Sequence, residues 1–472
     1  MPPHLSESQL TIIKQVFELL RKKSAAWKDV PPAQSSTFVC KAVYLCCLAV
    51  KSPQSFSEGK SVQSMWDQSA QIFDGLARTI NHCFGSPVEA ERFWTTTLPF
   101  MVQCAENCAL EMEKILADRL IQSNAPKTIV KTKLQCAQIL AGGFFCLFPD
   151  FSDPWVSFDF FRVHSFHAIP CVCFLSYFSQ VALLPSSEME GERISFTRKV
   201  LADDSETWAK VEGGSAGSTV ELCDVVFDDT GTIEDYDDCL QADFANQYIG
   251  GGVLQGGNVQ EEIRFMINPE LCVSMPLSDV MLKNEAIEIV GALQYSKYHG
   301  YGGSLAFAGP VDMAAQKERI KLDPLQRRMI RVIAMDAMPM PERRIQYGPR
   351  GIEREFNKAL AAFSRNPADD AMANTPAAAA GVATGNWGCG MFGGDPQLKS
   401  VVQWMACSVA GRPKMAYCAF KDTRVAGFPE LVAAVKEKSV TVGGLLKVLT
   451  SEAFVAAEPW RTGVFAFIHS QL

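Results

Sequence analysis

Glu261 and Glu262 stand side by side after Gln260, and the three follow a glycine-rich run, Gly250-Gly251-Gly252-Val-Leu-Gln-Gly256-Gly257-Asn-Val. Adjacent glycines let backbone N–H groups approach a ligand closely, and the N-terminus of a following helix favours an anion. Carboxylates in a first helical turn ordinarily complement the helix dipole, which needs no ligand. A phosphate-cradling loop that runs straight into carboxylates is a rarer combination. It places an acid beside a bound phosphorylated molecule. Asp243 and Asn246, just upstream, end a strand-like run and by themselves read as an Asx turn.

A second glycine loop is Asn386-Trp-Gly388-Cys-Gly390-Met-Phe392-Gly393-Gly394-Asp395. Gly388, Gly390 and Gly393 satisfy G-x-G-x-x-G, the spacing of a dinucleotide-binding turn. The acid that such a turn needs about 20 residues on is missing, and too little chain follows for paired nucleotide-binding halves. A nicotinamide-dependent oxidoreductase built on this loop is therefore the weaker reading, whereas a pyrophosphate bridged by both glycine loops fits. The nearest approach to a metal pattern is His164-x2-His167-x3-Cys171-x-Cys173, which is poor spacing for a tetrahedral site and lies in an aromatic run. Neither a metal nor a cofactor is expected.

These residues need a scaffold, and the chain changes texture along its length. Residues 1–190 read as a helical accessory region. Ser6 with Gln9 makes a capping box, and Leu10, Ile13, Phe17 and Leu20 share one helical face. Helical pattern continues over 105–122 and 131–147, and 166–184 is a buried core helix rather than a membrane span, since it contains Pro170 and lacks interfacial anchors. A break at 185–192 leads into an α/β catalytic domain over 191–472. Strands are expected at 240–244, 286–290, 329–335, 381–384 and 415–420, and helices at 259–265, 354–363, 397–409 and 430–438. That alternation gives a mixed sheet covered by helices, with ligands bound beyond the strands' carboxyl ends. An Ala/Pro/Asn-rich piece, 366–380, reads as a surface loop with a short helix at 376–380.

Sixteen cysteines sit mostly in apolar runs, and no basic-then-apolar leader opens the sequence, so an intracellular chain without disulfides is expected. The formal charge of −8 argues against a general electrostatic grip on DNA or anionic membrane. The acidity is local: residues 203–238 hold twelve acidic residues and one basic one, Lys210, which leaves the remainder slightly basic.

The triple glycine followed eight residues later by Gln260-Glu261-Glu262 resembles the signature of the poly(ADP-ribose) glycohydrolases. The likeness extends through Gly231-Thr-Ile233-Glu234, Ala242-Asp243-Phe-Ala-Asn246, Glu262-Ile-Arg-Phe-Met-Ile-Asn-Pro-Glu-Leu271, Gln294-Tyr-Ser-Lys-Tyr-His-Gly-Tyr301 and Ala383-Thr-Gly-Asn-Trp-Gly-Cys-Gly-Met-Phe-Gly-Gly-Asp395, with a weaker match at Ala141-Gly-Gly-Phe-Phe-Cys-Leu-Phe-Pro149. It covers roughly residues 130–450.

The resemblance implies a macrodomain-like catalytic core with a helical accessory region. It implies cleavage of ribose–ribose O-glycosidic bonds in poly(ADP-ribose) carried on modified proteins, with ADP-ribose as product. By the same match Glu262 is the acid that protonates the leaving 2′-oxygen and later activates water, and Glu261 holds ribose hydroxyls. Asp243 is grouped with the two Glu residues as catalytic, and with Asn246 it helps hold the ribose and the catalytic loop. Glu234, beside Ile233, and Gln260 recognise adenine, and Phe420 stacks on the adenosine. Tyr301 closes over the diphosphate and ribose. Asn386 shapes the diphosphate pocket, within the loop of Gly388, Gly390, Phe392 and Gly393, and Phe392 packs beside the scissile bond. A location in the nucleus or cytoplasm follows from the resemblance, with no membrane and no sequence-specific DNA contact.

Two departures stand out: the Gly256-Gly257 pair suggests a more flexible loop before Gln260, and the segment after Tyr301, Gly-Gly-Ser-Leu-Ala-Phe, is less aromatic and polar than the family pattern. The alternative from another class is a macrodomain reader that binds ADP-ribose without cleaving it, which has no need of acids at the scissile bond.

Overall fold

The structure, a computed structural model, describes residues 5–56, 61–69, 73–84, 86–122, 125–150, 158–166, 168–201, 219–339, 342–365 and 380–472. The expected loop and helix within 366–380 lie outside the described residues except for Ala380, as does most of the acidic stretch before residue 219.

Ten strands are described: β1 (Lys127–Thr132), β2 (Arg193–Val200), β3 (Asp224–Asp228), β4 (Cys239–Asp243), β5 (Glu285–Val290), β6 (Ser296–His299), β7 (Ala306–Pro310), β8 (Arg331–Ala334), β9 (Gly381–Gly385) and β10 (Lys414–Cys418). Eight form one sheet in the order β1-β2-β5-β8-β4-β9-β10-β3, while β6 and β7 make a separate hairpin. The five strands from β8 to β3 run parallel. At the other end β5, β2 and β1 add antiparallel to their neighbours. The central strand β4 is buried throughout, as a parallel strand covered on both faces must be.

Helices cover both faces. On one side lie α1 (Glu7–Ser24), α2 (Pro32–Lys51), α3 (Leu98–Ala117), α4 (Lys133–Phe144), α5 (Ala168–Val181) and α6 (Gln260–Ile267). Their apolar faces share one core with Phe196, Ile287, Ile289 and Val332 of the sheet. On the opposite face α7 (Pro349–Phe363) and α8 (Pro396–Val409) pack with the C-terminal helices on Leu240, Ile333, Val382 and Met415. Ser6 and Gln9 form the expected capping box of α1, and Ile13, Phe17 and Leu20 are buried. Thr132 and Gln135 form another at α4.

Two sequence expectations need correction. The first 190 residues are not all helical: 127–132 is an edge strand, because Ile129 faces the core while its neighbours pair with β2 and meet solvent. The stretch 185–192 is not an open break, since Pro185 leads into a short helix, Ser186–Gly191. Among the described residues no helix is long and apolar enough to cross a membrane, and α5 is an internal helix. All sixteen cysteines are free. His164 is buried against Phe144 and Phe73, with Nε2 on the Phe144 carbonyl at 2.7 Å, and burial lowers its pKa to about 4. His167 lies outside the described residues.

Candidate active site

Beyond Asp243 at the end of β4 the chain turns through Asn246 and the first glycine loop, then enters α6 at Gln260. Three consecutive side chains at that helix start reach back and hold the loop. The Gln260 amide accepts from Phe244 N (2.7 Å) and donates to the Ala242 carbonyl (3.2 Å). Glu261 accepts from Asn246 N (2.8 Å) and Gly250 N (2.6 Å). Glu262 accepts from Gly252 N (2.9 Å) and from Val259 N (3.1 Å), the latter capping its own helix. The loop is pinned by the acids and the acids are aimed by the loop.

Glycine is required where the two meet. Gly251 has φ +49°, and a Cβ there would stand 2.4 Å from a Glu261 oxygen and 2.6 Å from a Glu262 oxygen. At Gly257 a Cβ would lie 2.5 Å from the Glu262 carboxylate carbon. Of the second glycine pair, Gly257 makes room for Glu262.

The strand ends enclose a cavity of about 550 Å³. Of the candidate residues Ile233, Glu234, Asn246, Gly251, Gly252, Gln260, Glu261, Glu262, Tyr301, Asn386, Gly388, Gly390, Phe392 and Phe420 line it. Glu261 and Glu262 form its floor, 3% and 7% exposed. Ile233 and Glu234 come from a 3-10 turn after β3, and Glu234 lies 3.5 Å from the Tyr298 hydroxyl. Asn246 turns the chain by accepting from Tyr248 N (3.0 Å). Asn386, after β9, is locked by the Tyr417 hydroxyl (2.8 Å) and the Ala419 carbonyl (2.9 Å). The N–H groups of Gly388, Gly390, Met391 and Phe392 have no acceptor among the described residues, which leaves a row of donors suited to an anion. Phe420 follows β10 in a left-handed conformation (φ +52°) that turns its ring outward. Tyr301 comes from the β6–β7 turn, anchored by Gly302 N on the Asn258 carbonyl (3.1 Å), with its hydroxyl on the backbone of Gln260.

Three candidates stand behind the wall. Gly250 packs on Met275 and supplies its N–H to Glu261. Gly393 makes a turn, its N–H on the Gly390 carbonyl. Asp243, expected among the catalytic carboxylates, is wholly buried beneath the floor, because the last residue of a strand covered on both faces points into the protein. Neither of its oxygens has a hydrogen-bond partner among the described residues. Burial pushes its carboxyl well above the usual range; Arg264 pulls the other way, and Glu262 and Glu234 add to the rise. Glu261 is pushed up by burial and by Asp243 and Glu262, against its two N–H bonds. The two carboxyls resist simultaneous ionisation and titrate together.

Several residues of the site are not singled out by the sequence. Tyr298 lies inside a quoted motif and lines the pocket beside Glu234. Arg264, one turn along α6, is buried, donates to the Gln241 side chain (2.6 Å) and faces Glu234 and Asp243. Phe244, Asp422 and Arg424 also line the wall. Among the described residues no cluster of His, Cys, Asp and Glu suits a metal ion.

Comparison with known proteins gives two family matches. Residues 86–198 match the helical domain of poly(ADP-ribose) glycohydrolase, and residues 214–427 match its macro domain fold. Poly(ADP-ribose) glycohydrolase 1 of Arabidopsis thaliana is 33% identical over 404 residues, covering 69% of this chain and 70% of the relative. The probable poly(ADP-ribose) glycohydrolase 2 of the same plant is 33% identical over 403 residues, 75% of each chain. Poly(ADP-ribose) glycohydrolase 1 of Caenorhabditis elegans is 34% identical over 331 residues, 67% of this chain and 39% of the relative. With a helical layer, a macrodomain sheet and these relatives, the chain belongs to the poly(ADP-ribose) glycohydrolase family.

Proposed function

We propose that this chain hydrolyses the ribose–ribose O-glycosidic bonds of poly(ADP-ribose) and releases ADP-ribose, with Glu262 acting first as acid and then as base. The observation that carries the reading is the adjacent pair Glu261 and Glu262 on the floor of the cavity, each held by backbone N–H groups of the glycine loop. Neighbouring helix positions diverge by about 100°, so these carboxylates do not flank one sugar from opposite sides as the usual glycosidase pair does. One Glu therefore protonates the departing 2′-oxygen and, as the carboxylate left behind, takes a proton from the attacking water. Glu261, fixed from both oxygens, orients the ribose and the loop.

The remaining residues hold substrate. The donors of the second glycine loop receive the diphosphate, Tyr301 covers it, Phe420 stacks on the adenosine, and Glu234 accepts from the adenine amino group. Gln260 uses its amide on the backbone of β4 and so contributes as much to positioning as to contact. Asp243 supports the floor from beneath without touching substrate.

Incubating the protein with labelled poly(ADP-ribose) and separating the products tests this reading. Released ADP-ribose supports it; polymer that is bound but never shortened would leave an ADP-ribose reader.

A further inference from the structure

Among the described residues the pocket wall carries four carboxylates, Glu234, Glu261, Glu262 and Asp422, and one basic side chain, Arg424. A diphosphate brings two further negative charges into that wall. The N–H groups of the second glycine loop offer it dipoles and no compensating charge.

Arg424 is held where it could supply that charge. It sits in a short turn, Thr423–Val425, separated from Phe420 by two residues. Its carbonyl accepts from the Gln397 side chain (2.9 Å), on the helix that starts as the second glycine loop ends, so the turn and the loop are tied together. Its side chain folds back on Asp422, with Nε at 2.9 Å and Nη2 at 2.6 Å from the carboxylate oxygens. The Arg424 side chain is 57% exposed and that of Asp422 15%, so the guanidinium is the outer, movable half of the pair.

We propose that Arg424 is the cation of the diphosphate subsite: on binding, its guanidinium turns from Asp422 to the phosphate oxygens of the ADP-ribose unit in the pocket. The identity of the ligand rests on the glycohydrolase reading above. The guanidinium is the solvent-exposed half of the pair, and phosphate offers it the same two-point contact in exchange. The planar fork of Arg matches two phosphate oxygens at once. Asp422 aims Arg424 in the empty pocket and competes with the phosphate in the filled one.

Calorimetric titration of the intact chain with ADP-ribose, and separately with adenosine, tests the assignment. Arg424→Ala is expected to weaken ADP-ribose about ten-fold or more, the loss of a charge-assisted hydrogen bond, while leaving adenosine unchanged. Asp422→Asn is expected to tighten ADP-ribose, and added salt to weaken wild type more than Arg424→Ala. Unchanged ADP-ribose affinity in Arg424→Ala would overturn the proposal. So would equal losses for ADP-ribose and adenosine, which would make Arg424 a structural prop. Wild-type protein that neither binds ADP-ribose nor cleaves polymer would instead overturn the glycohydrolase reading, and the ligand named here with it.

Discussion

The rings of Tyr301 and Phe420 face each other over the pocket, their centroids 5.6 Å apart and their planes inclined by 52°. One comes from the β6–β7 turn and the other from the end of β10, so the cover of the site is assembled from segments more than a hundred residues apart. Each ring remains partly exposed, 42% for Tyr301 and 56% for Phe420, as a surface awaiting a stacked partner would be.

Removing the Phe420 ring should therefore weaken ADP-ribose binding by about 1–3 kcal/mol, the usual contribution of a base stacked on an aromatic side chain. Stability should change little, because Phe420 is more than half exposed. Titration of Phe420→Ala with ADP-ribose, beside a thermal melt, separates the two. A large drop in melting temperature with unchanged affinity would assign Phe420 to packing instead.

Gly257 is expected to be intolerant of alanine for a reason of position. A Cβ there lies 2.5 Å from the Glu262 side chain, which must shift to admit it. Displacing a reacting group by about 1 Å costs on the order of 100-fold in rate. Gly257→Ala should thus lower kcat by about two orders of magnitude while ADP-ribose binding falls much less. Normal turnover in this variant would show that the Glu262 position is not critical.

The buried carboxyl of Asp243 gives a pH signature. Burial holds it well above the usual range, while the same group in an unfolded chain ionises near ~4. Between those values the folded protein keeps a proton that the unfolded chain has released, so stability falls as pH rises through the window. Asp243→Asn removes that dependence. The melting temperature of the variant minus that of wild type should grow more positive from about pH 5 to about pH 8. A difference that turns more negative over this range would contradict the assignment.

Lys133 connects the helical layer to the segment that follows α6. Fully buried on α4, it donates to Glu270 (3.0 Å), three residues beyond α6, and to the Tyr295 hydroxyl (3.0 Å). Lys133→Met would strand the Glu270 charge, a loss of about 3–5 kcal/mol. A marked fall in melting temperature is expected, and Glu270→Gln in the same chain should restore part of it. A variant as stable as wild type would show that the two layers hold together without this link.

The parts of the fold legible in the sequence are those whose physics is local. β4, β5, β8, β9 and β10 are short runs with apolar or β-branched residues, and α6, α7 and α8 carry clear helical spacing. β2 was not legible because Arg198 and Lys199 look solvent-facing. In the sheet they are buried, Arg198 against Glu285 and Lys199 3.7 Å from Glu288 on the neighbouring strand, a pairing that only the register reveals. β1 is an edge strand with one core-facing residue, and its alternation is too short to stand out. At the site, the glycine loops and the Glu pair show themselves by composition. Arg264 and Arg424 do not, because what distinguishes them is which strand ends the topology brings together. Asp243 was placed at the right strand end, but its side chain points beneath the floor, a direction set by the strand's pleat.

On the proposed reading Glu262 performs the proton transfers while the rest of the pocket holds the substrate. Single-turnover cleavage of end-labelled poly(ADP-ribose) by Glu262→Gln, with ADP-ribose affinity measured on the same preparation, decides this. The expected result is affinity within a few-fold of wild type and a cleavage rate lower by about 10²–10⁴, the range for loss of a general acid–base. Cleavage near the wild-type rate, or a rate loss matched by an equal loss of binding, would contradict it.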